Sequence, residues 1–355
     1  VNNFWCRSER KLNVEDIVMT RAIFGTTMAF HIIFATMGVG LPLMILLVEL
    51  LFWRTRDRDY EIMAKRWTKA QAILLGVAIP SGTIAGVQLS LLWPGFMAIV
   101  GKVISLPFQI EIFAFFVEAL FMSIYVYAAH RLSRNMRLLS LFMVLLGATA
   151  SAILITNVHA FEGTPTGFRM VDGQIVDVDP WKAFFNPSFF VTAGHVTVSA
   201  YMTGAFIVAG VAAWKMLRVE KGSRVYLYHQ KALLAGLIVG GTFSLLTALN
   251  GHESAQLLHE YQPEKLAAAE GLFETQAYAP LAIGGFTDPE TKKVKYAIEI
   301  PWALSFLAAN RFDEVVVGLD DFPKELWPPL YIHALFNGMV IIGSLLIFVG
   351  FIGFA

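Results

Sequence analysis

Seven long runs of apolar residues alternate with polar segments along the chain. Because about 20 apolar residues cross the hydrocarbon core of a bilayer, each run predicts one membrane-spanning helix. The runs are Ala22–Val48, Ala70–Trp93, Ser105–Ala129, Leu138–His159, Phe189–Trp214, Ala232–Leu249 and Leu330–Ala355. The pattern therefore predicts an all-α integral membrane protein, a polytopic bundle of about seven transmembrane helices.

The longest polar stretch, Asn250 to Pro329, separates the sixth and seventh runs. It contains one apolar run, IPWALSFLAA from Ile300, which is too short to span a bilayer and is a candidate for the membrane interface. No internal repeat or low-complexity tract stands out. We therefore predict a transmembrane bundle over residues 1–249, an extracytoplasmic loop over 250–329 and a seventh transmembrane helix over 330–355.

The composition agrees with a membrane protein. Hydrophobic residues make up 56% of the chain and charged residues only 15%, with a mean hydropathy of +0.61. A soluble domain carries about 25% charged residues. The net charge of zero argues against nucleic acid as a partner, and the single cysteine, Cys6, predicts neither a disulfide framework nor a cysteine metal cluster. The polar N-terminus lacks the apolar core of a cleavable signal peptide.

Lysine and arginine concentrate in the loops that follow the first, third and fifth runs. These residues are Arg54, Arg56, Arg58, Lys65, Arg66, Lys69, Arg131, Arg134, Arg137, Lys215, Arg218, Lys221, Arg224 and Lys231. Since basic loops face the cytoplasm, the asymmetry predicts that the N-terminus and the long loop lie outside. Arg7, Arg10, Lys11 and Arg21 argue for the opposite orientation, and the loop asymmetry outweighs them.

Two carboxylates, Glu111 and Glu118, interrupt the third apolar run. Seven residues are close to two helical turns, so both acids lie on one face of the helix. An ionisable residue at the centre of a span costs about 2.5–3.5 kcal/mol and usually faces a cavity, a partner or a cofactor. One such acid alone is often a packing residue, whereas two on one face favour a proton path or a cofactor pocket. A transporter is a further interpretation, but it predicts broken helices or an inverted repeat.

Histidine and methionine residues also fall in the predicted outer half of the membrane. His195 and Met339 lie at similar depth on separate helices, which suits an axial ligand pair for a haem. His31, followed by Gly38 and Gly40, is a second ligand candidate. Each histidine alone is also explained as a hydrogen-bonded core residue, and Met339 alone as packing. The similar depth of the pair is what favours ligation.

The long loop carries YQPEKLAAAEGLFET, in which Lys265 and Glu270 are five residues apart. A charged helix of this kind is commonly a solvated surface. The functional alternative is a cation and an acid at the membrane surface that hold a quinol headgroup and accept its protons.

Several stretches, distributed over most of the chain, carry a resemblance to a known family. They are FHIIFATMGVGLPLM, GTIAGVQLSLLWPGFM, EIFAFFVEALF, FNPSFF with GHVTVSAYMTGAF, YQPEKLAAAE and PPLYIHALFNGMV. Through them the chain resembles subunit I of the cytochrome bd-type quinol oxidases, in the branch with a short loop.

The resemblance implies specific haem ligands. His195 and Met339 would be the axial ligands of a low-spin haem b that takes electrons from quinol. His31 would be the axial ligand of one of two high-spin haems, of type b or d. His159 stands near the end of the fourth span, where the family usually has an asparagine. It is therefore an extra ligand, a proton donor or a neutral replacement.

The resemblance also implies an activity. Glu111 and Glu118 match acids beside the high-spin haems, with roles in proton delivery, and Lys265 and Glu270 match the quinol-binding pair. The enzyme would oxidise ubiquinol or menaquinol on the outer side of a bacterial or archaeal cytoplasmic membrane, reduce O2 to water and contribute to proton motive force. The implied partner is a second membrane subunit, and a small single-span subunit is a further candidate.

Two departures from the family's pattern leave alternatives open. The family has two further C-terminal spans with a GRQPW motif, whose neighbouring glutamate ligates the other high-spin haem, and this motif is missing here. Either the sequence is a fragment, or the site is completed differently, or the chain is a haem b electron-transfer subunit that oxidises quinol without reducing oxygen. Asn337 stands where some members have an arginine, a change that would shift the potential of the low-spin haem.

Overall fold

Seven long helices, one for each predicted span, form the framework of the part of the chain that the computed structural model describes, residues 14–171 and 174–353. They are α1 (Val14–Thr55), α2 (Arg58–Leu92), α3 (Pro94–Ala128), α4 (Arg134–Gly163), α6 (Phe189–Met216), α7 (Arg224–Tyr261) and α10 (Ile332–Ile352). Three short helices are α5 (Pro180–Phe184), α8 (Pro263–Glu270) and α9 (Ala303–Ala309). Each long helix is apolar enough to cross a membrane, which confirms the predicted helical membrane bundle. The expectations for Cys6, Arg7, Arg10, Lys11 and Ala355 lie outside the described residues.

Local sequence determines where several helices begin. Asp57, Ser133 and Ser223 are the N-caps of α2, α4 and α7, and their side chains accept hydrogen bonds from backbone N–H groups of the first turn. Trp93 alone separates α2 from α3. Pro94 takes the first position of α3, where the missing N–H has no intrahelical partner to lose.

The helices pack closely where small residues face each other. A Cβ atom added to Gly204 of α6 would lie 2.6 Å from the carbonyl carbon of Gly40 in α1, and Gly241 of α7 faces Gly350 of α10 in the same way. Backbones that approach this closely are typical of helix association in a membrane. The best-buried side chains of the adjoining core are Met44, Ile45, Leu141 and Ala205.

Ion pairs bring the basic loops together at one end of the bundle. Lys231 of α7 binds the carboxylates of Asp57 and Asp59 at the beginning of α2, at 2.5 and 2.6 Å. Arg137 of α4 pairs with Glu49 near the end of α1 at 2.5 Å. The long loop between α7 and α10 lies at the opposite end, because both helices cross the bundle away from these pairs.

The loop between α7 and α10 is a small folded unit. α7 continues past Leu249, the predicted end of the sixth span, to Tyr261. After α8, three antiparallel strand pairs follow: β3 (Gln276–Ala277) with β8 (Val315–Val316), β4 (Leu281–Ile283) with β7 (Ile298–Ile300), and β5 (Phe286–Asp288) with β6 (Lys293–Lys295). The apolar run after Ile300 forms α9, whose Leu304 and Ala308 pack against Leu266 of α8. These apolar residues are thus buried in the loop's own core.

A second, smaller connection joins α4 to α6 at the end of the bundle that carries the long loop. Strands β1 (Arg169–Val171) and β2 (Gln174–Val176) pair in antiparallel orientation, and Arg169 forms an ion pair with Asp177. The short helix α5 then leads the chain back to α6.

Candidate functional site

His195 and Asn250 lie side by side on α6 and α7, near the end of the bundle that carries the long loop. The Nδ1 atom of His195 is 3.0 Å from Oδ1 of Asn250. Because an amide oxygen only accepts, the imidazole donates from Nδ1 and keeps a free lone pair on Nε2. A histidine held through one ring nitrogen is the arrangement typical of a metal ligand. A Cβ added to the neighbouring Gly251 would lie 3.9 Å from the ring, an ordinary van der Waals distance, so Gly251 packs beside His195 without crowding it.

Met339 lies on α10 at a depth that matches His195. The contact between Gly241 and Gly350 fixes the relative height of α7 and α10. At 1.5 Å per residue, Asn250 is about 14 Å and Met339 about 16 Å from that contact, in the same direction. Met339 is 54% exposed, so its thioether is available to a group that binds from outside this chain's own core. Its ligation of haem together with His195 stays a prediction.

His31 has a similar arrangement on α1. Its Nδ1 atom is 2.9 Å from the hydroxyl of Ser81 on α2, and that hydroxyl lies 2.8 Å from the carbonyl oxygen of Val77. Since the serine has one hydrogen to donate to the carbonyl, it accepts from Nδ1, and Nε2 of His31 is again free. A Cβ added to Gly82 would lie 2.9 Å from the ring. Only glycine therefore lets the ring stand there.

A cavity of about 550 Å³ opens between α1 and α2 beside His31, and Thr26, Phe30, Pro80 and Ser81 form part of its wall. This volume is in the range of small-molecule and cofactor sites. Phe30, the residue before His31, and Ser81, which contacts its ring, belong to this wall, so the cavity lies next to the histidine.

Glu111 and Glu118 both face α4, as their spacing predicts. The Glu111 carboxylate accepts a hydrogen bond of 2.8 Å from the Ser151 hydroxyl. Glu118 is only 5% exposed, and Gly147 of α4 packs against its backbone. A Cβ added to Gly147 would lie 2.7 Å from the Glu118 nitrogen, so the glycine sets how closely the two helices approach.

Glu270 and Lys265 are both on α8 but do not meet. Five residues correspond to about 140° around a helix, so the two side chains point in different directions. Glu270 is buried (4% exposed), and this burial raises the pKa of its carboxyl to about 8. Lys265 is exposed, and its Nζ atom lies 3.4 Å from Oε1 of Gln262. The structure therefore supplies a buried acid and a separate surface cation.

His159, at the outer end of α4, is largely exposed and lies 3.8 Å from the Glu162 carboxylate. Asn157, two residues earlier, is buried, and its side-chain amide donates a 2.6 Å hydrogen bond to the carbonyl of Phe184. The fourth span thus ends with a buried asparagine and, two residues later, an exposed histidine. A role for His159 as a ligand or proton donor stays a prediction.

A third buried acid, Glu49, was missed from sequence. It is 2% exposed, pairs with Arg137 and accepts a 3.2 Å hydrogen bond from the hydroxyl of Tyr125. Tyr125 follows Glu118 by seven residues on α3, the spacing that also separates Glu118 from Glu111. This repeated interval of seven residues is visible in the sequence and indicates a continuous polar face on α3. Glu111, Glu118 and Tyr125 therefore share one face of α3, from the outer half of the bundle to its basic end.

The donor set fits haem better than a bare metal ion. Within residues 14–171 and 174–353, no three His, Cys, Asp or Glu side chains cluster in a way that would hold a metal. Haem needs only axial donors from the protein, and His195, Met339 and His31 offer such donors singly or in a pair. Each histidine is already oriented through Nδ1.

The fold and these residues define a class: a multi-span helical membrane protein with buried carboxylates and with histidines whose rings are oriented by hydrogen bonds. Residues 19–355 match the family described as cytochrome bd terminal oxidase subunit I. The chain therefore belongs to this family, as the sequence motifs had predicted.

Individual relatives agree with this assignment. The chain is 72% identical over 340 residues to the provisionally named cytochrome bd menaquinol oxidase subunit I of Bacillus subtilis (strain 168), covering 96% of this chain and 77% of the relative. It is 34% identical to the cytochrome bd ubiquinol oxidase subunit 1 of the same organism, covering 88% and 66%. The cytochrome bd-II ubiquinol oxidase subunit 1 of Escherichia coli (strain K12) is 27% identical, with coverage of 88% and 61%.

A solved structure matches as well. The bd oxidase from Geobacillus thermodenitrificans superimposes with a TM-score of 0.89 at 46% identity, covering 94% of this chain and 77% of that chain. The chain thus spans 77% of the length of this solved structure and 77% of the 72% identical relative. It spans 66% of the second Bacillus subtilis relative and 61% of the Escherichia coli relative. The predicted class, a subunit of a quinol oxidase, is confirmed at the level of the family.

Proposed function

We propose that this chain is the haem-bearing catalytic subunit of a membrane quinol:oxygen oxidoreductase. The observation that carries the proposal is the hydrogen bond between His195 and Asn250, which leaves Nε2 of His195 free to bind iron. Met339, at matching depth on α10, would be the second axial ligand of a low-spin haem b. When bound, haem would supply the one-electron steps that link quinol oxidation to oxygen reduction.

Glu270 would accept a proton from the quinol hydroxyl. It is the buried acid of the long loop, and its raised pKa of about 8 places proton uptake and release near neutral pH. Lys265, exposed on the same short helix, would bind the headgroup from the surface. The 72% identical relative is named for menaquinol and two others for ubiquinol, so the assay includes both.

His31, beside the cavity between α1 and α2, would hold a high-spin haem of type b or d. Glu111 and Glu118 would move protons toward it along the face of α3 that meets α4. Tyr125 continues this face of α3 toward the basic end of the bundle, where its hydroxyl donates a hydrogen bond to Glu49 of α1. The order of these groups supports proton uptake from the side of the basic loops.

By the distribution of lysine and arginine, the basic end would face the cytoplasm of a bacterial or archaeal cell, with the N-terminus and long loop outside. Release of quinol protons outside and uptake inside would contribute to proton motive force. A second membrane subunit would complete the oxidase, and a small single-span subunit is a further partner to seek.

The test is oxygen uptake by the assembled oxidase, driven by menaquinol or ubiquinol. We expect uptake with the wild-type chain, loss of uptake with His195→Ala, and a strong decrease with Glu270→Gln. Reduction of haem b by quinol without oxygen uptake would instead support an electron-transfer subunit that does no oxygen chemistry. Absence of haem from the wild-type complex would contradict both.

A further inference from the structure

His333, in the first turn of α10, is completely buried and lies between two backbone carbonyls of the long loop. Its Nδ1 atom is 2.9 Å from the carbonyl oxygen of Ala269, the residue before Glu270. Its Nε2 atom is 3.0 Å from the carbonyl oxygen of Gly284, after β4. A carbonyl oxygen only accepts, so the ring donates an N–H to one of these carbonyls and packs its other nitrogen against the second.

Asn337, one turn further along α10, completes this connection. Its Oδ1 atom accepts a 2.8 Å hydrogen bond from the backbone N–H of Gly284, and its Nδ2 atom donates to the carbonyl of His333 at 3.1 Å. The same Nδ2 atom is 3.4 Å from both ring nitrogens, a longer separation than either carbonyl contact. Gly284 is therefore held to α10 through both its N–H and its C=O.

Gly271, at the end of α8, packs beside the ring of His333. A Cβ added to Gly271, which follows Glu270, would lie 3.1 Å from Nδ1 of His333 and 2.5 Å from a methyl group of Val294. Gly271 also has a φ of +70°, the left-handed conformation that ends α8. The residues on both sides of Glu270 are thus in contact with His333.

We propose that His333 is a positioning residue that fixes the buried carboxyl of Glu270 relative to α10, the helix that carries Met339. His333 precedes Met339 by six residues, about 9 Å along the helix. One rigid helix therefore carries both the residue that holds the quinol acid in place and the candidate haem ligand. The inference rests on the proposed role of Glu270 and deepens it, because it identifies what holds the acid at its distance from the haem.

The test compares His333→Leu and His333→Gln in the assembled oxidase. The leucine removes the polar contacts of the ring with both carbonyls, and we expect the quinol KM to rise about tenfold, the effect of losing about one buried hydrogen bond, with kcat changed less. The midpoint potential of the low-spin haem shifts in the same variant, because α10 loses its hydrogen bond to Ala269 beside Glu270 and keeps only the Asn337 contact to Gly284. The glutamine restores an N–H donor and recovers part of the KM. His130→Leu, at the basic end of the bundle, is the matched control and leaves both values unchanged.

The outcomes separate this inference from the proposed function. If the wild-type complex does not oxidise quinol, or Glu270→Gln oxidises it normally, the proposed function fails. If Glu270→Gln is impaired but His333→Leu keeps the wild-type KM and potential, only the positioning role is overturned. Loss of haem in step with activity in both His333 variants also overturns it, since it shows a need for folding alone. If His333→Leu does not assemble, His333→Gln decides by the same two measurements.

Discussion

The side chain of Asn250 on α7 orients the ring of His195 on α6 through a hydrogen bond of 3.0 Å between Oδ1 and Nδ1. Two residues that are far apart in sequence thereby set the direction of one ring nitrogen. Nε2 is left without a partner among the hydrogen bonds of the described residues, which is what a haem ligand requires.

Replacement of Asn250 by leucine should weaken haem binding without removing the ligand. The apolar side chain cannot accept from Nδ1, so the ring loses its fixed orientation. We expect haem b affinity to fall by about 10- to 100-fold, as for other residues that orient a metal ligand. Haem content after titration with free haem measures this. Thr242→Val, on the exposed face of the same helix, should have no effect.

A methyl group at Gly147 should force α3 and α4 apart. In Gly147→Ala, the added Cβ would lie 2.7 Å from the nitrogen of Glu118 and 2.8 Å from the carbonyl oxygen of Ala114. These are backbone atoms, which cannot move as a flexible side chain does, and overpacking costs about 1–3 kcal/mol.

The measurement for this variant is the thermal midpoint of the purified protein in detergent, with Gly210→Ala as control. Nothing lies within 4 Å of a Cβ at Gly210, so this change should be neutral or slightly stabilising through helix propensity. Equal midpoints for Gly147→Ala and Gly210→Ala would argue against the close contact at Glu118.

The buried ion pair between Glu49 and Arg137 should be sensitive to removal of one partner. Arg137→Gln leaves a carboxylate that is 2% exposed without its cation, which costs about 3–5 kcal/mol. The double variant Glu49→Gln with Arg137→Gln should recover part of that loss. The exposed pair of Lys65 and Glu61 is the control, and Lys65→Gln should change stability by about 1 kcal/mol or less. A double variant as unstable as the single one would contradict the pairing.

Quinol oxidation should depend on pH through Glu270. Burial raises the pKa of this carboxyl to about 8, and only the deprotonated form accepts a proton from quinol. The rate should therefore rise with pH up to about 8 and then level off. Glu270→Gln should abolish this rise along with most of the activity, whereas Glu264→Gln, in the first turn of α8, should keep the wild-type profile. An unchanged profile in Glu270→Gln would exclude this acid as the acceptor.

The same pKa affects stability in the opposite direction. Between the ordinary value of 4.5 and about 8, folded Glu270 keeps a proton that the unfolded chain has released. The folded protein therefore loses stability as pH rises through this window. Thermal midpoints of wild type should fall relative to Glu270→Gln as pH increases from 5 toward 8, and parallel curves would contradict the burial of this carboxyl.

The seven spans were predictable because each apolar run is long enough by itself to require a helix in a membrane. Glu111 and Glu118 were placed on the correct face because a helix fixes that relation locally. The burial of Glu270 and the exposure of Lys265 were not predictable, since they depend on which face of α8 packs against the rest of the loop. No feature of the sequence singles out His333, the fourth residue of the predicted seventh span. Its importance arises from two carbonyls that the loop brings back to it.

The reduced-minus-oxidised optical spectrum of the assembled protein, recorded with and without carbon monoxide, tests the central claim most directly. We predict a low-spin haem b signal in the wild-type chain that disappears in His195→Ala and is disturbed in Met339→Ala. A carbon-monoxide-sensitive signal should disappear in His31→Ala. A wild-type complex without a haem signal, or a low-spin signal that is unchanged in His195→Ala, would contradict the account.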